Sequence, residues 1–237
     1  MIERITVLVV ALMWTTNSGA ADDDKKNLAW KLTVGDYFYD DYSGVDVNLR
    51  WRQHDTSAWV GAYHDREFGT QTRAGFDTSF NVSEHAQLQP SLQIATYGFV
   101  GGSINLQAGD AWFGIIGIGR TNLKPYFNLN FDPNDSITLG AGHRTESGGI
   151  YTIFVVADDR LHTGQRDWHA NARFPVGTSR ATLDVLRKSG LSDAGEITAW
   201  GFSATWDWPT VFVRLAYDPK QNFSAQDAWR VAAGMRF

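Results

Sequence analysis

Hydrophobic and polar residues alternate with a period of two along most of this 237-residue chain. The run from 45 to 52 shows the pattern plainly, because its odd positions are apolar and its even positions are polar. The same alternation recurs at 28–35, 73–80, 87–94, 123–131 and 168–174. Successive side chains of a strand point to opposite faces, so each run predicts a strand with one apolar and one polar face.

Turn-forming residues separate the alternating runs, as at Asp132-Pro133-Asn134-Asp135 and Pro175-Val176-Gly177. We identify 15 candidate strands, which start near residues 28, 44, 58, 70, 86, 102, 111, 123, 136, 149, 165, 179, 197, 210 and 228. Neither helical periodicity nor a low-complexity linker interrupts them. The pattern therefore predicts a single all-β unit over residues 22–237.

The first 21 residues have a different pattern and are predicted to lie outside this unit. Glu3 and Arg4 precede a short apolar run at 5–14, and small residues follow at Gly19-Ala20-Ala21. This arrangement predicts a secretory signal peptide over 1–21, cleaved after Ala20 or Ala21. The apolar run is too short to cross a bilayer as a helix. A buried N-terminal strand is the alternative interpretation.

Alternation alone leaves open which face of each strand is enclosed. A soluble barrel would bury the apolar face, whereas a membrane barrel would turn it towards lipid. Strand lengths of about 9–11 residues suit a tilted membrane crossing. Aromatic residues make up 14% of the chain, and many lie at strand ends, which is typical of two interfacial belts. They include Tyr37, Phe38, Tyr39, Tyr42, Trp51, Trp59, Tyr97, Phe99, Trp206, Trp208 and Tyr217.

The last strand gives the most specific signal. Apolar residues alternate with polar or small ones from Trp229 to the final residue, Phe237. This segment resembles the closing strand of Gram-negative outer-membrane β-barrel proteins, which typically ends in Phe. The resemblance implies location in the cell outer membrane, contact with outer-membrane lipid, and a signal that the barrel-insertion machinery reads. In this chain the signal would comprise Trp229, Val231, Met235 and Phe237.

We therefore predict a transmembrane antiparallel up-and-down β-barrel of about 14 strands, with 12 or 16 as alternatives. Closed barrels of this class have an even number of strands, so one of the 15 candidates is false or two belong together. Short turns can be assigned to the periplasm and long links to the outside, and this assignment is consistent when it starts from either end of the chain. The two assignments conflict between Gly98 and Gly149.

A barrel of this size is wide enough for an aqueous lumen. The polar faces would line it, and basic residues predominate among the predicted lining residues, which are Arg50, Arg52, Arg73, Lys124, Arg144, Arg173, Arg214, Arg230 and the acidic Asp77. These residues predict a passive channel of the porin type for small solutes, with a modest preference for anions. The alternative is that the arginines pair with lumen carboxylates and brace the wall.

Two other functions remain open. His169 and Asp184 would face inward on neighbouring strands if the turn at 175–178 closes a hairpin, as a base and its orienting carboxylate do. A lipid-modifying enzyme of the deacylase or lipase type could use such a pair, although no serine is obviously placed beside it. Catalysis is therefore the less favoured interpretation. The third alternative is a conduit or anchor of an export system.

Composition limits cofactors and partners. The chain has no Cys, which excludes thiolate metal sites and disulfides. Its acidic residues and six His lack the spacing of calcium or zinc sites, so we expect no metal and no cofactor. A net charge of −5 argues against a nucleic-acid partner. The sequence does not indicate an oligomeric state.

Overall fold

A computed structural model describes residues 28–124, 126–127, 135–160, 162–192 and 195–237. Two single-turn 3-10 helices interrupt the strands, at Thr96–Gly98 and Gln221–Phe223. Among the described residues, neither helix is long and apolar enough to cross a bilayer. The strands are β1 (Trp30–Phe38), β2 (Ser43–Gln53), β3 (Thr56–Asp65), β4 (Gly69–Thr78), β5 (Phe80–Ser83), β6 (Ala86–Ala95), β7 (Phe99–Gly109), β8 (Trp112–Thr121), β9 (Ser136–Arg144), β10 (Ile150–Asp158), β11 (Arg166–Val176), β12 (Ser179–Ser192), β13 (Gly195–Asp207), β14 (Val211–Asp218) and β15 (Ala228–Arg236).

The strands form a closed antiparallel barrel of 14 strands, with the short β5 as an extra strand. Each strand pairs with the next except β4 with β5, β15 pairs with β1, and β4 pairs with β6 to complete the ring. β5 follows β4 after Ser79 and pairs with β6 beside it, so the two together act as one interrupted strand. Trp30 and Phe237 exchange two backbone hydrogen bonds of 3.0 Å, which fixes the last strand against the first.

The apolar faces of the strands point outward, as the membrane interpretation predicted. On β2, Val45 is 41% exposed, whereas its neighbour Asp46 is 2% exposed. β12 shows the same arrangement, because Leu183 and Val185 are exposed on the outer surface and Asp184 is buried. A soluble barrel would show the opposite arrangement. The outer surface therefore matches a hydrocarbon environment and the inner surface is polar.

Exposed aromatic side chains lie on the outer surface near both ends of the strands. Trp30, Trp112 and Trp208 lie at the end that holds Phe237, while Trp168 and Trp229 lie at the opposite end. The assignment of Tyr37, Tyr39, Trp59 and Phe99 to these belts was wrong, because all four are buried inside the barrel. These residues occupy inward-facing positions of their strands, or in the case of Tyr39 of the continuation of β1, so their side chains point into the barrel although they are aromatic.

The prediction of about 14 strands is confirmed, and the structure shows which candidate was false. Residues 122–124, 126 and 127 of the predicted strand near 123 form no strand, and residues 125 and 128–131 lie outside the described residues. The segment belongs to the long connection from β8 to β9. This error lies between Gly98 and Gly149, where the assignment of sides conflicted. The predicted signal peptide, residues 1–21, also lies outside the described residues.

Candidate functional site

Two described residues of the β8–β9 connection, Tyr126 and Phe127, lie inside the barrel near one end. Phe127 is buried and stacks on Tyr63 of β3, with ring centroids 3.9 Å apart and an interplanar angle of 10°. It also meets the ring of Tyr37 on β1 edge-on at 6.1 Å. β1 lies six strands from β8 around the 14-strand ring. Phe127 therefore contacts the wall nearly opposite β8, and it narrows the lumen there.

Further tyrosines complete this aromatic constriction, which we define as Tyr37, Tyr39, Tyr63, Tyr126 and Phe127. The hydroxyls of Tyr39 and Tyr63 lie 3.1 Å apart, and Tyr63 donates a 2.5 Å hydrogen bond to Asp65. Long connections of this barrel class are extracellular and short turns are periplasmic. The constriction therefore lies at the extracellular end, opposite Phe237.

Tyr126 attaches the same connection to the β6–β7 wall. Its ring stacks on Phe99 at 4.0 Å, and its hydroxyl accepts a hydrogen bond from the Gln93 amide. Burial raises the pKa of the Tyr126 phenol, which therefore stays protonated at neutral and mildly alkaline pH.

Ion pairs at the barrel rim hold the β8–β9 connection where it leaves β8 and where it joins β9. Arg160 pairs with Asp135 at 2.5 Å, and Arg120 pairs with Asp159. Asp135 also accepts a hydrogen bond from the Thr121 hydroxyl. These contacts tie the β8–β9 connection to the neighbouring β10–β11 connection, which supports the inward course of Tyr126 and Phe127.

Below the aromatic constriction, the lumen contains a cavity of about 370 Å³. It extends from Asp55 and Asp207 at the periplasmic end to Phe99 and Thr121 near the constriction. Its charged lining comprises Arg50, Arg52, Arg120, Arg173, Arg214, Arg230, Asp55, Asp77, Asp184 and Asp207. Six guanidinium groups thus face four carboxylates, which leaves an excess of two positive charges.

Some predicted lumen cations are neutralised in the extracellular half. Arg73 pairs with Asp46 at 2.5 Å, and both side chains are almost fully buried. Asp218 accepts hydrogen bonds from Lys188 at 2.9 Å and from Arg230 at 3.2 Å. The Arg73–Asp46 pair contributes little net charge to the passage, whereas Asp218 with its two cations keeps one positive charge.

The other predicted lumen residues lie nearer the periplasmic end or at a rim. Arg50 pairs with Asp77 at 3.1 Å, and Arg214 donates to the Thr205 hydroxyl at 2.7 Å. Arg144 donates to Gln107 at 2.8 Å from the last position of β9. Arg52 and Arg173 line the cavity. Lys124 is exposed in the β8–β9 connection rather than on a strand.

The structure brings His169 and Asp184 together inside the barrel. His169 Nδ1 lies 2.9 Å from Asp184 Oδ2, and the imidazole stacks on Phe154 at 4.7 Å. Both residues line the cavity and are buried. A lipid-modifying enzyme needs its reactive groups where acyl chains reach them, whereas this pair is enclosed by the wall. Within the described ranges, no cluster of His, Asp or Glu is arranged to hold a metal ion.

Sequence reasoning missed two parts of this lumen. Tyr126 and Phe127 were assigned to a strand because the alternation at 123–131 imitates one. Lys188 and Asp218 were not among the predicted lumen residues, yet both side chains are fully buried in the lumen. Extending the alternation of β12 by a few residues would have placed Lys188 on the inner face with Asp184.

No protein-family model matches the chain, and no curated protein matches it. Among solved structures, Omp33 of Acinetobacter baumannii is similar over 88% of this chain and 98% of its own, with a TM-score of 0.58 and 8% identity. A mutant Rh. blastica porin covers 88% and 99%, with a TM-score of 0.48 and 11% identity. The KdgM porin in complex with disordered oligogalacturonate covers 87% and 99%, with a TM-score of 0.46 and 9% identity.

The likeness to Omp33 shows the fold of an outer-membrane β-barrel, and at this identity it shows the fold alone. That fold agrees with the closed ring of 14 strands and the apolar outer surface. The chain is thus an outer-membrane β-barrel, and the cell outer membrane is its location.

Proposed function

We propose that this outer-membrane barrel is a passive channel for small solutes, with a modest preference for anions. The cavity enclosed by the polar inner face supports the proposal most strongly. The aromatic constriction limits passage to small solutes, because Phe127 reaches the opposite wall.

The anion preference rests on the charges that line the cavity. Six arginines face four aspartates there, and a confined pore with low-dielectric walls strengthens the attraction of a mobile anion. Pairs such as Arg50 with Asp77 reduce this field without removing the excess. The preference is therefore expected to be moderate rather than absolute.

Reversal potentials in a potassium chloride gradient across a planar bilayer test this preference. We expect the reversal potential to have the sign of the chloride equilibrium potential. An Arg52→Gln/Arg173→Gln double variant should move it towards zero, because two lining charges are removed. Arg66→Gln is the matched control, since Arg66 is exposed at the rim and pairs with Glu67. A potential on the potassium side would contradict the proposal.

A further inference from the structure

Two arginines lie on the lipid-facing surface of the barrel. Among the described strand residues, three lysine or arginine side chains occupy outward positions of the alternation, and they are Arg120, Arg166 and Arg187. Arg120 lies near the end of β8, reaches the rim of the cavity and pairs there with Asp159. Arg166 begins β11 and Arg187 lies in the second half of β12, so both are in the extracellular half of the wall. These two are the basic side chains of the described strands that face lipid.

Arg187 lies between two tryptophans at the same level of the wall. Its register partners are Trp168 on β11 and Trp200 on β13. Side chains directly opposite each other in antiparallel strands have Cβ atoms about 5 Å apart, so all three are neighbours on the outer surface. Trp168 is 43% exposed and Trp200 is 62% exposed. Because outward tryptophans at a strand end mark the level of the lipid headgroups, Arg187 occupies that level too.

Arg166 lies close enough to Arg187 for both to contact the same group. Arg166 pairs with Ser189, which is two positions from Arg187 on the same face of β12. Diagonal neighbours of this kind are about 7–8 Å apart, which is within reach of long side chains. Two guanidinium groups on adjacent strands can therefore meet at one anion, and an anion between them would relieve the repulsion of their like charges.

The protein supplies no counter-ion for this pair within the described ranges. Neither arginine has an ion pair or a side-chain hydrogen bond there. Glu196 is the outward acidic residue of β11–β13 in these ranges, and it lies opposite Leu191, four positions from Arg187 along β12. At about 3.3 Å per residue, that offset is about 13 Å. The surroundings of the barrel must therefore provide the anion.

At the level of the headgroups, the phosphate of an anionic lipid is the anion that lies nearest. The planar guanidinium group matches phosphate oxygens with two parallel hydrogen bonds. Tryptophan rings are amphipathic and pack against the region where the headgroup joins the acyl chains. Below Arg187, Val185 and Leu183 are exposed on the same face of β12, so acyl chains find an apolar surface there.

We infer that Arg166, Arg187, Trp168 and Trp200 form a site on the outer surface for the phosphate group of an outer-leaflet lipid. The two guanidinium groups bind the phosphate, and the two indole rings flank it. The site lies outside the lumen, so it is independent of the proposed channel function.

Diphosphoryl lipid A and the same lipid after removal of both phosphates are suitable probes, because they share their acyl chains and sugars. Each is titrated into the folded barrel in detergent, and native mass spectrometry measures the fraction of barrel with lipid bound. The unmodified barrel should bind the phosphorylated lipid about thirtyfold more tightly, as expected for two basic residues that each meet an anionic headgroup.

An Arg166→Gln/Arg187→Gln double variant should bind the phosphorylated lipid about as weakly as the dephosphorylated one. An Arg66→Gln/Lys124→Gln double variant is the matched control, because it removes the same charge from exposed connections at the same end of the barrel. The control should keep the preference of the unmodified barrel. Far-ultraviolet circular dichroism checks that both variants are folded.

Three results would overturn the inference. Unchanged binding of the phosphorylated lipid by the Arg166→Gln/Arg187→Gln variant would show that the two arginines do not hold the phosphate. An equal loss in the control would mean that the general charge of the extracellular rim attracts the lipid. Oligomers of the unmodified barrel that dissociate in the double variant, with lipid binding unchanged, would assign the arginines to contacts between barrels instead.

Discussion

A Tyr126→Ala/Phe127→Ala variant is expected to conduct several-fold more current than the unmodified barrel. Phe127 stacks on Tyr63 and meets Tyr37, while Tyr126 stacks on Phe99, so the two rings occupy the extracellular end of the lumen. Removing both leaves methyl groups in place of rings that reach the far wall. Single-channel recordings at fixed salt and voltage measure the change.

Tyr97→Ala is the control for this experiment. Tyr97 lies at the same end of the barrel, but it is 58% exposed and its ring contacts Phe68 rather than a residue of the constriction. Its removal should leave the conductance unchanged. Equal conductance of the double variant and the unmodified protein would show that the aromatic constriction does not limit the current.

An Ile153→Arg variant is expected to lose about 2–4 kcal/mol of folding free energy in lipid, the range for a basic residue at the middle of a lipid-facing strand. Ile153 lies near the centre of β10 and is 58% exposed on the outer surface. The guanidinium would have to enter hydrocarbon or displace the surrounding lipid. Urea unfolding of the barrel in phospholipid vesicles, followed by tryptophan fluorescence, measures the loss.

Thr152→Arg tests the same substitution on the other face of the same strand. Thr152 lines the polar cavity, so the new charge stays in water and a clearly smaller destabilisation is expected. Similar losses in both variants would mean that the outer face of β10 does not contact lipid. A larger loss for Thr152→Arg would contradict the assignment of the two faces.

Which residues of a strand share a face could be predicted from the sequence, because this depends on local geometry. A strand turns successive side chains to opposite sides, so the alternation of Val45 and Asp46 needs no knowledge of neighbouring strands. The even number of strands indicated that one candidate was false, and the conflict in assigning short turns and long links to the two sides placed the error between Gly98 and Gly149. The error arose because the residues around Tyr126 alternate as a strand does.

The pairing of lumen charges could not be predicted in the same way. Arg73 and Asp46 are 27 positions apart, and Lys188 and Asp218 are 30 positions apart. Their contacts depend on the register of several strands and on the stagger of the closed ring.

The central claim is that the polar face of each strand lines a water-filled passage while the apolar face contacts lipid. Because the chain has no Cys, single substitutions on β7 can be labelled without background. Ser103 and Asn105 line the cavity, whereas Ile104 between them is 50% exposed on the outer surface. In lipid vesicles, Ser103→Cys and Asn105→Cys should react with a small charged thiol reagent, and Ile104→Cys should not. Reaction at Ile104→Cys with protection of the two flanking positions would contradict the account.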